Sequence, residues 1–201
     1  MSAKHVSVRL LRLYAGLAAF GVSLALMLRA DLGLGPWDVL HQGLATHLDV
    51  PIGWVVIGIG AVVMLLWIPL RERPGIGTLS NVVLVGLFAD ASLALIPRPD
   101  PLAVRAVLLV VGILGTAIGT GLYVGAGFGP GPRDGLMTGL ARRGLSVRLV
   151  RTGIEVAVLV VGFLLGGSVG IGTLAFALGI GPLVQLALPR LSFGTGAGEP
   201  A

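Results

Sequence analysis

Apolar residues run along this chain in long stretches separated by short segments rich in glycine, proline and arginine. The stretches lie near 12–28, 52–70, 76–96, 105–124, 149–166 and 170–189. Each holds about 17–22 residues, and a helix rising about 1.5 Å per residue needs about 20 to cross the hydrocarbon core of a bilayer. The pattern predicts an all-α membrane protein with about six transmembrane helices. Lys4, Arg9 and Arg12 precede the first stretch as the charged region of a signal peptide would. That stretch takes part in the internal repeat described below, so it is read as a retained span.

Composition strengthens this reading. The chain has 201 residues, 55% of them hydrophobic, with a mean hydropathy of +0.99. Charged residues make up 11%, against about a quarter in a typical soluble domain, too few to cover a water-facing exterior. Cysteine is absent, which excludes disulfides, thiol chemistry and Cys-based metal sites. His5, His41 and His47 have no metal-binding spacing, so neither a metal nor a cofactor is expected. The pI near 11 does not point to nucleic acid, because the bases sit in short clusters between apolar stretches. The partners expected are the lipid bilayer and a small solute or ion, with a homo-oligomer or a second membrane protein also open.

Clustered bases encode orientation. With the N-terminus in the cytoplasm, Lys4, Arg9, Arg12, Arg71, Arg73, Arg133, Arg142, Arg143, Arg148, Arg151 and Arg190 fall inside. Arg29, Arg98 and Arg105 fall outside. The positive-inside rule therefore places both termini in the cytoplasm.

The chain also resembles itself. Ala30-Asp-Leu-Gly-Leu-Gly-Pro-Trp-Asp38 aligns with Ala126-Gly-Phe-Gly-Pro-Gly-Pro-Arg-Asp134 at an offset of 96 residues. Gly75-Ile-Gly-Thr-Leu79 aligns with Gly170-Ile-Gly-Thr-Leu174 at an offset of 95. Upstream, Gly16 aligns with Gly112 and Leu26 with Leu122. Two motifs in the same order at nearly the same spacing imply a single membrane domain of two repeats, 10–91 and 106–187, with a short flexible tail over 191–201. Three spans per repeat is an odd number, so the second copy enters the membrane from the opposite side. Many secondary transporters are built from such inverted repeats, with the substrate near the midplane between them.

The Gly-x-Gly-Pro-x-Asp element predicts a short helix in each repeat. Proline suits the first helical turn, and the following carboxylate complements the helix dipole. Helices are expected from Pro36 to about residue 48 and from Pro132 to about residue 143, too short to span and therefore interfacial or re-entrant. Asp38 and Asp134 are either helix caps or ligands for a cation, a proton or a polar substrate. Gly33, Gly35, Gly129 and Gly131 would let the chain dip into the protein, freeing the helix starts to face a cavity. Trp37 and Arg133 share one repeat position, as an interface anchor and a topology determinant or as two unlike walls of a pathway. Gly75, Gly77 and Thr78, with Gly170, Gly172 and Thr173, suit close helix packing and capping; a paired broken-helix site is the alternative.

Polar groups inside the stretches are few. Asn81 and Asp90 lie on the third and Gln185 on the sixth, while Arg151 and Glu155 on the fifth are spaced for an ion pair. Intramembrane polar and ionisable groups mark candidate sites, which adds Glu155, Arg151 and Asn81 to the list. No nucleophile–base constellation or phosphate loop appears, so catalysis is not expected.

Taken together, residues 28–44, 131–140 and 148–155 resemble the bacterial YczE/YyaS/YitT family of membrane proteins. YitT-type relatives often carry a soluble C-terminal domain; this chain stops soon after Arg190, so the resemblance is to the shorter YczE type. It implies a bacterial plasma-membrane location and carries over no catalytic or substrate-binding residue. The residues themselves suggest a small secondary transporter, with a membrane accessory or regulatory protein as the alternative.

Overall fold

The computed structural model of the chain describes residues 3–192. Residues 193–201, most of the expected tail, lie outside the described residues. Eight helices and no strand occur among those described: α1 (Ala3–Ala30), α2 (Pro36–Leu48), α3 (Ile52–Leu70), α4 (Ile76–Leu95), α5 (Leu102–Gly125), α6 (Pro132–Ala141), α7 (Val147–Leu164) and α8 (Ile171–Leu191). Five of them, α1, α3, α4, α5 and α8, are long and apolar enough to cross a membrane. The remaining long helix, α7, carries Arg148, Arg151 and Glu155 in its first nine residues.

Small residues set how the long helices meet. Gly16 of α1 lies against Gly119 and Tyr123 of α5; Gly112 of α5 lies against Ser23 and Met27 of α1. A Cβ on Gly16 would stand 2.7 Å from the Tyr123 nitrogen, so only glycine permits this approach. As the chain ascends α1 its partners descend α5, so the two helices are antiparallel. The two contacts also exchange under the 96-residue offset: Gly16 becomes Gly112, and Tyr123 becomes Met27.

The bundle is sealed by apolar residues from α1, α4 and α5, including Leu13, Leu17, Leu24, Val85 and Ala89, with Ile52, Val55 and Val56 of α3. A second cluster joins Met27, Leu34 and Val39 to Leu109 and Ile113, and a third joins Trp37 and Val63 to Leu136 and Met137. Large apolar residues such as Trp54, Leu65, Ile68, Leu149, Leu164 and Leu178 are exposed on the outer faces. In water that would be costly, whereas a bilayer solvates it. The spanning helices are in contact with lipid.

Charges segregate to the two ends. At one end Arg29 donates to the Leu93 carbonyl, and Asp31 pairs with Arg98 and Arg105. At the other, Arg9 donates to the Ala126 carbonyl and lies over Phe128, and Arg12 reaches the Leu191 carbonyl. There too Arg142 pairs with Glu72, and Arg143 donates to the Pro69 carbonyl. The three arginines assigned to one side by sequence thus share one end. Most of the others share the opposite end. Arg133 and Arg151 depart from the pattern, because both line an interior cavity.

Candidate functional site

Each Gly-x-Gly-Pro-x-Asp loop docks on the Gly-Ile-Gly-Thr start of a helix from the other half of the sequence. The Gly77 amide donates to the Phe128 carbonyl at 2.9 Å, and the Gly172 amide donates to the Leu32 carbonyl at 2.7 Å. Thr78 accepts from the Gly75 amide and donates to the Pro130 carbonyl at 2.8 Å; Thr173 accepts from the Gly170 amide. Gly33 and Gly129 pass beneath these threonines at φ +106° and +114°, a region that side chains disfavour. A Cβ there would meet Thr173 Oγ1 at 2.7 Å or Thr78 Oγ1 at 2.8 Å. The twelve glycines, prolines and threonines singled out by sequence therefore belong to two junctions. Gly35 is closed by the Phe176 ring, Pro36 and Pro132 are buried at the first helical position, and Gly131 lies beside the Tyr123 hydroxyl.

These junctions turn the starts of α2 and α6 toward one another. Arg133, in the first turn of α6, places its guanidinium 5.0 Å from the centre of the Trp37 ring in the first turn of α2. Its Nη2 lies 3.6 Å from Asp38 Oδ1 and 3.4 Å from both ring nitrogens of His41. Asp38 Oδ1 is 3.4 Å from His41 Nδ1. Asp38 and His41 are 3% and 1% exposed. Burial opposes the charge on Asp38, but His41 and Arg133 outweigh it and hold the carboxyl below its ordinary range. Burial, and then the like charge of Arg133, hold the His41 imidazole below its ordinary value against the pull of Asp38. At neutral pH this cluster is an ionised aspartate, a neutral histidine and an arginine. Asp38 Oδ1 and Trp37 Nε1 are buried without a hydrogen-bond partner among the described residues.

Beside the cluster opens a cavity of about 260 Å³, to which all eight helices contribute. Trp37 and His41 come from α2, and Arg133, Asp134 and Met137 from α6. Apolar wall is supplied by Phe20 of α1, Val56, Ile59 and Val63 of α3, and Ile180 and Val184 of α8. Asn81 of α4, Thr116, Thr120 and Tyr123 of α5, Arg151 and Glu155 of α7 and Gln185 of α8 add polar groups.

Six of the seven residues proposed from sequence as binding groups, Trp37, Asn81, Arg133, Asp134, Arg151 and Glu155, therefore share one cavity. Asp38 stands one step behind its wall. Arg151 Nε donates to Glu155 Oε1 at 2.9 Å, the pair expected from their spacing. Tyr123 donates to Asp134 Oδ2 at 3.1 Å. Asp90 lies apart; it accepts from the Gly53 amide at 2.8 Å and caps the start of α3. His41, Tyr123 and Thr120 were not singled out by sequence. For His41 a signal was present, three residues beyond Asp38 on the same helical face, with Met137 at the matching repeat position.

Residues 7–189 match DUF6198, described as a family of unknown function. The chain belongs to this family. It is 41% identical over 173 residues to an "Uncharacterized protein" of Haemophilus influenzae, covering 86% of this chain and 79% of that protein. It is 36% identical over 181 residues to the "Uncharacterized membrane protein YczE" of Bacillus subtilis, covering 88% of this chain and 84% of that one. The resemblance to the YczE type holds over most of the chain. No solved structure matches.

Proposed function

We propose that this chain is a small secondary transporter of the bacterial plasma membrane that passes a solute through the central cavity. In this reading α1, α3, α4, α5, α7 and α8 are six spans in two inverted halves, 10–91 and 106–187. The short helices α2 and α6 are re-entrant, and both termini are cytoplasmic. The antiparallel α1 and α5, with contacts that exchange under the repeat offset, support the inversion. Helix α7 begins just after α6, at the end where Arg142 meets Glu72. Past its other end, the Ser168 amide donates to Gln42 Oε1 of α2 at 2.6 Å. It thus runs the length of the bundle, and the mutual neutralisation of Arg151 and Glu155 lowers the cost of immersing it in lipid.

One observation carries the proposal. The first turns of α2 and α6, built from equivalent motifs, meet at one cavity walled by both halves, with charged and polar groups set in a largely apolar lining. Paired discontinuous helices around a midplane site are how inverted-repeat transporters hold their substrates. Four of the charged side chains are held in ion pairs, and no nucleophile–base relay occurs among the cavity residues, which favours a carrier over an enzyme. The test is flux in proteoliposomes across a broad panel of small solutes and ions. The proposal expects saturable, protein-dependent uptake of at least one solute, reduced by substitutions in the cavity wall. Absence of uptake across the panel, together with an unchanged cellular phenotype for Asp134→Asn, would sink it.

A further inference from the structure

We propose that the cavity takes a small monovalent organic cation, a protonated amine or quaternary ammonium, with Asp134 as its counter-ion. This rests on reading the cavity as a solute site. The charged groups around the cavity sort by their partners. Arg151 holds Glu155 one helical turn away. Arg133 faces the buried Asp38 and covers the Trp37 ring. Asp134 is left over. It is exposed to the cavity and, among the described residues, receives only the Tyr123 hydroxyl, a neutral donor. With Arg133 turned to Asp38 and Arg151 to Glu155, Asp134 is the cavity carboxylate that no cation meets among the described residues.

A carboxylate that faces a cavity without a cationic partner attracts a monocation, and the apolar wall beside it accommodates that ion's substituents. An anion would instead meet repulsion. The walls suit an organic cation better than a metal ion. Among the described residues no group of three His, Cys, Asp or Glu is placed to ligate a metal, and hard cations need several oxygen ligands. Next to Asp134 stands the Tyr123 ring, packed edge-on against Phe20 at 6.4 Å between centres. Aromatic faces attract ammonium groups. The cavity's 260 Å³ admits a solute of a few heavy atoms with room for its apolar substituents.

The test titrates the purified full-length chain in detergent with four probes at constant ionic strength. Tetramethylammonium and ethylammonium are the cations, neopentyl alcohol the neutral isostere and pivalate the anionic one. Tryptophan fluorescence and thermal stability are read together, since Trp37 lines the cavity. We expect a saturable response to at least one cation and none to the isosteres. Asp134→Asn should weaken it about tenfold or more, as loss of a charge-assisted contact does, and Asp134→Glu should retain most of it. Silence toward both cations overturns the inference. So does an equal response to pivalate or the alcohol, or unchanged affinity in Asp134→Asn. Cation binding without flux in proteoliposomes would leave this inference standing and remove the transport reading. Flux of anionic or neutral solutes without cation binding would do the reverse.

Discussion

Asp38 and Asp134 occupy the same position of the same motif, each two residues past the proline that opens a short helix, yet they live in different surroundings. Asp38 is enclosed between His41 and the guanidinium of Arg133, and its carboxyl does not reach the cavity. Asp134 faces the cavity and, among the described residues, accepts only from a tyrosine hydroxyl. One residue on each side explains the difference. Position 133 is arginine where the first repeat has Trp37, and position 137 is methionine where the first repeat has His41. The single arginine crosses to the other half and pairs with Asp38, and among the described residues no counterpart crosses back to Asp134. Two like motifs thus hold their aspartates differently: Asp38 is buried against Arg133 and His41, and Asp134 faces the cavity.

The largest effects should come where the halves are alike. Gly33→Val and Gly129→Val each force a side chain into a disfavoured φ and against a threonine of the other half. Each should cost several kcal/mol, seen as loss of monodisperse protein, since backbone strain alone costs about 1–3 kcal/mol. Markedly unequal losses would show that the two junctions are not equivalent. Next, Asp38→Asn should lower stability by about 2–3 kcal/mol, because it leaves Arg133 against a buried imidazole without its counter-charge. Asp134→Asn should change stability by about 0.5 kcal/mol or less, as exposed positions do. Thermal unfolding in one detergent compares them, and equal costs would dissolve the distinction between the two aspartates.

A smaller difference separates the threonines. Thr78→Val removes a donor to the Pro130 carbonyl as well as a cap, and should cost about 1–2 kcal/mol. Thr173→Val removes a cap alone and should cost about 0.5–1 kcal/mol. The smallest effect is on pH dependence. His41 is held below its ordinary value of 6.5, so the unfolded chain takes up a proton there that the folded chain resists. Stability should therefore fall as pH drops from about 7 toward 5, and His41→Gln should flatten that slope. The contribution of Asp38 has the same direction but acts at lower pH, below its ordinary value of 3.8. A slope in the wild type that rises on acidification would contradict the depressed imidazole.

The architecture was legible because lipid imposes a coarse pattern. Long apolar stretches and segregated arginines predicted the helices and the two ends, and the paired motifs predicted the short helices at Pro36 and Pro132. The sequence also pointed to several polar groups of the cavity wall, since polar residues are scarce in the apolar stretches and Asn81, Arg151 and Glu155 stood out. Hidden from it was which half each motif would touch. Thr78 caps its own helix, as its position suggests, but its bond to Pro130 depends on a crossing between distant segments. For the same reason Asp38 and Asp134 read as equivalent: burial of one follows from Arg133 arriving from another helix. His41 passed unnoticed because a lone histidine on an apolar helix is commonly a packed core residue, and its role appears only when Asp38 and Arg133 are seen around it.

The central claim is that a solute path runs through the cavity between the halves, and side-specific thiol labelling tests it most directly. The chain has no cysteine of its own, so Gln185→Cys supplies a single reporter in the cavity wall. Leu178→Cys, on a strongly exposed apolar position of the same helix, supplies a lipid-facing control. Membrane-impermeant thiol reagents are applied separately to each face of sealed vesicles. The account predicts that residue 185 is labelled from both faces and residue 178 from neither. Labelling of residue 185 from one face only, or from neither, would contradict a path through the cavity.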